Sequence, residues 1–213
     1  MRSLGYHCTS RADGDFVDPA RFEPGTTWLE QVHGATVVTV TSPGQHAGVE
    51  ADAAVTAVSG CVLAVRTADC VPLVLHGLDN EAVGVVHAGW RGLAAGVVEA
   101  AAHAMRALGV EPVAARLGPH IRRGCYEFGR SDLDEVTRRL GAEVEATTLW
   151  GAPALDLTAA TRSALWRAGV ERILDEGSCT ACTDTWYSFR AGGEPARFAT
   201  MAGLDSSSMT GAP

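Results

Sequence analysis

One stretch, Val83 to Met105, constrains the fold more than any other because it passes from strand to helix through His87-Ala88-Gly89-Trp90-Arg91-Gly92. Val83, Val85 and Val86 form a β-branched apolar run of strand length, and His87 stands where the run gives out. From Leu93 onward, Leu93, Val97, Ala100, Ala101, Ala104, Met105 and Leu108 fall at helical spacing, which predicts one amphipathic helix. Gly89 and Gly92 let the turn between them bend and approach a ligand closely. Arg91 adds a cation beside the first helical N–H groups, a place that favours an anion.

The remaining segments read as shorter elements. Residues 1–25 carry Gly, Asp and Pro with little periodicity and are expected to be irregular. Thr27 to Val40 predicts two strands meeting around Gly34, with His33 at a strand end. Asp52 opens a further apolar stretch, Cys61 to Val65 and Val71 to Leu75 predict strands, and Pro72 suits an edge or a strand start. Strand-like Val113 to Leu117 runs into Gly118-Pro119-His120. Ser131 and Asp134 resemble a capping box at the head of one helix, and another follows Asp156 and stops at Gly169. Further strands are expected at Ile173-Leu174, Trp186 to Arg190 and Ala196 to Leu204, and a disordered tail over 205–213.

At 213 residues the chain can bury a large core, and no linker divides it. A net charge of −8 without a basic run argues against a nucleic-acid groove. No apolar run reaches membrane-spanning length, and the N-terminus lacks the apolar core of a signal peptide, so the expected location is cytoplasmic. In that compartment six cysteines are thiols rather than a disulfide framework.

His33, Cys70 and His87 each end or flank an expected strand, so all three can reach one rim of the fold. Two neutral imidazoles and a thiolate suit Zn²⁺ and leave a fourth position for water, whose pKa the ion would lower. The bland alternative is a pair of half-buried, hydrogen-bonded histidines and a small apolar cysteine. Cys70 can also be read as a thiolate nucleophile with His87 as its base, as in Cys/His hydrolases. Asp69 could orient a histidine or cap a turn. Arg91 and Arg190 are the arginines to place near an anion, although a surface ion pair is the ordinary duty of either. Cys179-x-x-Cys182 has no second pair, which favours two ordinary thiols, and His120 reads as a rim residue or a solvated loop residue.

Taken in order, QVHG (Gln31 to Gly34), ADAAVT around Asp52, TADCVPLVL (Thr67 to Leu75), VHAGWRGL (Val86 to Leu93), LGPHI (Leu117 to Ile121) and the late Cys179 to Arg190 segment resemble the YfiH or laccase-domain family. The family carries the older name multicopper polyphenol oxidase, and it is also associated with purine nucleoside phosphorylase and adenosine deaminase activities. The resemblance implies an α+β fold, an α/β/β/α sandwich with mixed sheets in a single domain, spanning 26–204 here. It implies zinc held by His33, Cys70 and His87. Copper is the alternative metal, although seven histidines are few for a multicopper centre. The implied partners are purine nucleosides (adenosine, inosine, guanosine, methylthioadenosine) and phosphate, handled by a monomer or weak homodimer. On this reading Asp69 would manage a proton and Arg91 would hold the phosphate. Residues 1–25 depart from the family's Gly-rich opening, which leaves a non-catalytic binding protein as a further alternative.

Overall fold

Residues 2–205 are described by a computed structural model in which alternating apolar side chains sort the strands into two large sheets, with one two-stranded hairpin apart from them. In chain order the strands are β1 (Leu4–Cys8), β2 (Thr26–Glu30), β3 (Val37–Thr39), β4 (Val49–Glu50), β5 (Ala53–Thr56), β6 (Val62–Thr67), β7 (Val71–Gly77) and β8 (Val83–Ala88). Helices α1 (Trp90–Ala95) and α2 (Val97–Ala107) follow, then β9 (Pro112–Leu117), α3 (Arg130–Leu140), and the hairpin β10 (Glu145–Thr147) and β11 (Pro153–Leu155). The chain continues through α4 (Leu157–Arg167), β12 (Arg172–Asp175), α5 (Phe189–Gly192) and β13 (Phe198–Leu204).

The larger sheet runs β12-β9-β7-β8-β5-β3 and the smaller β1-β13-β6-β2-β4, each mixing parallel and antiparallel pairs. Period-two alternation decides which residues face which layer. Val74, Val83, Val85 and Ala54 point to the smaller sheet and meet Leu63, Val65 and Leu204. Leu73, Leu75, Val55 and Val86 point the other way, against Val97, Val98, Ala101 and Met105 of α2 and Leu165 of α4. Strand β8 is therefore buried on both faces, which explains its nearly unbroken valines. Each fully buried valine or leucine contributes roughly 1.5–3 kcal/mol relative to exposure. The far face of the smaller sheet is covered by Phe16, between short 3-10 turns at Arg11–Asp13 and Pro19–Arg21, and by Phe22 just after the second, where a regular helix would complete the sandwich.

Several local expectations need correction. The N-terminus is not irregular throughout, because β1 pairs antiparallel with β13, with Tyr6 opposite Ala202. The single helix expected from Leu93 is split at Gly96, whose φ of 88° places it in the left-handed region and whose N–H closes α1 on Gly92 and Leu93. Ser131 lies inside α3, which starts after Gly129, so its capping box does not form. Trp186 to Arg190 is not a strand, since the Ser188 hydroxyl accepts the Ala191 N–H and starts α5. Pro72 does stand at a strand start, as the second residue of the central strand β7, and because pairing with β9 begins only at Leu73 its missing N–H interrupts no bond there. Of the tail expected over 205–213, only Asp205 lies among the described residues, and its carboxylate accepts from Ser3 and Ser59.

Candidate metal centre and its pocket

A buried carboxylate organises the site. Asp52, fully buried just before β5, accepts the backbone N–H of His33 on Oδ1 at 2.9 Å and that of Gly34 on Oδ2 at 2.6 Å. The same Oδ1 accepts Nδ1–H of His87 at 2.8 Å. His33 adopts φ 60°, a left-handed conformation costly for a side chain of its size, and these bonds hold it there. Burial favours protonation of Asp52, but the donors from His87 and Gly34 prevail and hold its pKa below the usual carboxylate value. With Nδ1–H given to Asp52, His87 turns its Nε2 to the Cys70 sulfur.

Cys70 comes from the connection between β6 and β7, and His87 from β8, where it pairs with Pro72. One donor atom from each of His33, Cys70 and His87 lies within 4.8 Å of the others. The two imidazoles meet edge to face with centroids 4.8 Å apart. Burial opposes a charged Cys70, yet the neighbouring imidazoles outweigh it and lower the thiol's pKa. Burial likewise opposes a charged His87, and the Cys70 sulfur and Asp52 carboxylate raise it. The shifts share one cause: the pair favours thiolate beside imidazolium.

The donor set fits a borderline metal ion of the zinc or copper kind in charge and softness. Local packing leaves room for it. A Cβ added to Gly89 would come 3.0 Å from Cys70 Sγ and 3.1 Å from His33 Cδ2, so only glycine keeps the cradle open. A cavity of about 320 Å³ opens over the three residues, with Gln31, Arg66, Thr67 and Arg197 among its walls. The buried Thr67 hydroxyl takes no hydrogen-bond partner among the described residues, an unusual state for a group in a cavity wall. Gln31 locks the wall by exchanging two 2.8 Å bonds with the backbone of Arg66.

The other expected residues are distributed differently. Asp69, with φ 93°, receives Thr180 and Ser188 hydroxyls on Oδ1 and the Arg190 N–H on Oδ2, each at 2.7 Å. Arg91 is exposed, stacks on Trp90 at 4.3 Å and lies outside the cavity lining. Arg190 lies over Tyr126 at 4.7 Å and lines a second cavity. His120 is neither a rim nor a solvated residue but fully buried. Its Nδ1 donates to the Gly118 carbonyl at 2.8 Å and its Nε2 accepts from Thr158 at 2.9 Å. Burial, with Arg122 nearby, lowers its pKa to about 4 and keeps it neutral.

Sequence reasoning missed Arg66, Arg197 and the double duty of Asp52. A carboxylate opening an otherwise apolar strand was the available signal for Asp52. For the two arginines no local pattern exists.

Fold and pocket together define a class: a two-sheet α+β domain that presents two imidazoles and a thiol at the floor of an open, arginine-walled pocket. The chain belongs to the YfiH/laccase-domain family, and the model described as multi-copper polyphenol oxidoreductase laccase matches residues 15–205. A Streptomyces coelicolor relative named purine nucleoside phosphorylase is 41% identical over 192 residues, covering 89% of this chain and 77% of its own. The crystal structure of a Neisseria meningitidis protein assigned to DUF152 superposes with a TM-score of 0.77 at 33% identity, covering 86% and 76% of the two chains. Bacillus licheniformis YfiH gives a TM-score of 0.75 at 26% identity, with 87% and 77% covered. Among the described residues, no helix is long and apolar enough to cross a membrane.

Proposed function

We propose that this protein is a zinc-dependent purine nucleoside phosphorylase that also deaminates adenosine, with adenosine, inosine, guanosine and methylthioadenosine as substrates. The observation that carries the reading is the convergence of His33, Cys70 and His87 in a pocket walled by Arg66 and Arg197. Relatives named purine nucleoside phosphorylase, 35–42% identical, support the same class. Bound at the three donors, zinc would supply Lewis acidity and a water acidic enough to ionise near neutral pH.

In phosphorolysis a phosphate oxygen bonds to the ribose anomeric carbon while the bond from that carbon to the base nitrogen breaks. The bonding pair leaves with the purine, which takes up a proton. Arg66 and Arg197 are suited to the phosphate because carbonyls hold both guanidinium groups: Val17 and Leu29 for Arg66, and Glu194, Pro195 and Ala196 for Arg197. They take the role that sequence reasoning gave to Arg91. Asp69 serves here as a positioning residue, since its bonds tie the Cys70 connection to Thr180, Ser188 and Arg190.

Purified protein incubated with adenosine and phosphate should release adenine and ribose 1-phosphate, together with inosine from the deaminase activity. Absence of all three products with zinc supplied would defeat the reading. The thiolate-imidazolium tendency of Cys70 and His87 favours one competitor, a Cys/His hydrolase. Cys70→Ser separates the two, because zinc and turnover should be lost together, whereas retained zinc with no turnover would mark a covalent thiol.

A further inference from the structure

A second cluster of donors lies away from this pocket. Cys125, at the end of a 3-10 turn (Arg123–Cys125), meets Cys179 and Cys182, which flank and end another (Thr180–Cys182). One sulfur from each lies within 4.8 Å of the others, with Cys125 and Cys182 at 3.0 Å. We infer that Cys125, Cys179 and Cys182 form a second, all-thiolate site for a thiophilic d¹⁰ cation of the Zn²⁺ class, open on one side to solvent.

The arrangement resembles a ligand shell more than a chance meeting. Cys179-Thr180-Ala181-Cys182 has the short spacing that lets one turn present two sulfurs to a single ion, and Cys125 adds a third from a distant segment. Sulfurs sharing a tetrahedral zinc at about 2.3 Å per bond sit about 3.8 Å apart, so the cluster needs only small side-chain rotations. The 3.0 Å approach is well beyond the roughly 2.05 Å of a disulfide. The backbone N–H of Arg122 points at Cys179 Sγ from 3.4 Å, the kind of bond that supports thiolate ligands. Arg122 is itself fixed, donating to Ser178 O at 3.2 Å and pairing with Asp175 at 2.8 Å.

Three thiolates repel one another, and a divalent cation relieves that repulsion. Cys182 is exposed and the other two are half-buried, so an ion can enter. A cavity of about 560 Å³ lined by Cys125, Glu127, Trp150 and Arg190 adjoins the cluster, leaving the fourth coordination position to solvent or a small donor ligand. The loop carrying two of the thiols is the one Asp69 grips through Thr180, so an ion here would stiffen the connection that positions Cys70.

The test is a metal titration of reduced, chelator-stripped protein under anaerobic conditions, using Co²⁺ and then Zn²⁺. Wild type should bind one equivalent more than the double variant Cys125→Ser/Cys182→Ser, and that extra equivalent should carry strong sulfur-to-cobalt charge-transfer absorption. Cys70→Ser should keep it, so this outcome is independent of activity and of the first pocket. The single exposed-site variant Cys182→Ser, which buries nothing new, should weaken the extra equivalent without altering the circular dichroism. Equal metal content in wild type and the double variant would overturn the inference.

Discussion

Gly89→Ala isolates the pocket from the fold. Gly89 has φ −79° and ψ 163°, extended backbone open to alanine, so no conformational strain is expected. Losing a glycine helix cap costs up to about 1 kcal/mol, and the stiffer unfolded chain returns about 0.4–1 kcal/mol, so stability should change by less than about 1 kcal/mol. The new methyl, however, would sit 3.0 Å from Cys70 Sγ and 3.1 Å from His33 Cδ2. Comfortable heavy-atom contact is about 3.5–4.0 Å, so both side chains must retreat by about half an ångström. Metal sites tolerate about 0.2 Å of ligand displacement. Zinc affinity should therefore fall about 10- to 100-fold, or about 1.4–2.8 kcal/mol. Competition against a chromophoric chelator measures that loss, and thermal melts in excess chelator measure stability. Unchanged zinc affinity in a folded variant would refute the placement of an ion among these atoms. A large loss of stability with chelator present would refute the claim that the methyl acts only on the pocket.

Other consequences are equally specific. Asp52→Asn frees His87 Nδ1 and weakens the hold on the His33 loop, so zinc affinity should drop about 10- to 100-fold; retention of full affinity, read by the same competition, would show that Asp52 orients neither imidazole. Asp69→Asn should cost about 1–3 kcal/mol in urea unfolding by disturbing two buried hydrogen bonds and one part-buried one, while leaving the shape of the activity pH profile intact. Disappearance of one limb of that profile would instead make Asp69 the proton-transferring group. Burial opposes ionisation of Asp175, but Arg122 and the Gly177 N–H bring its pKa down to about 2. A depressed carboxylate stabilises the fold above its unfolded pKa and loses that contribution as pH falls through the folded one. Asp175→Asn should therefore destabilise by about 2 kcal/mol at pH 7, with the gap closing between about pH 4 and 2. A gap that stays constant down to pH 2 in urea melts would exclude the ion pair as its source.

How much of this was legible in the sequence depends on distance along the chain. Strand β8, the turn after it and α4 with its Asp156 cap were readable because their signals are local: a nearly unbroken valine run, paired glycines, and an aspartate accepting the Ala159 N–H. Convergence of His33, Cys70 and His87 was only an expectation from strand ends, since nothing in sequence order places β8 between β7 and β5. The misread stretches fail for tertiary reasons. Strand β1 is held by a partner at the opposite end of the chain, and α5 replaces an expected strand because Ser188 is recruited by Asp69. The three-thiol cluster was invisible because Cys125 is remote from Cys179 and Cys182 and only folding joins them.

That the turn after β2, the connection from β6 to β7 and strand β8 each deliver one donor has a consequence for assembly. A fragment spanning 33–87 would carry all three donors but lack β2, β9 and β13, which neighbour their strands in the two sheets, and a nick in any of the three connections that loosened its docking would open the centre. Occupancy by an ion should thus report on sheet closure, since the three donors meet only once these strands have paired.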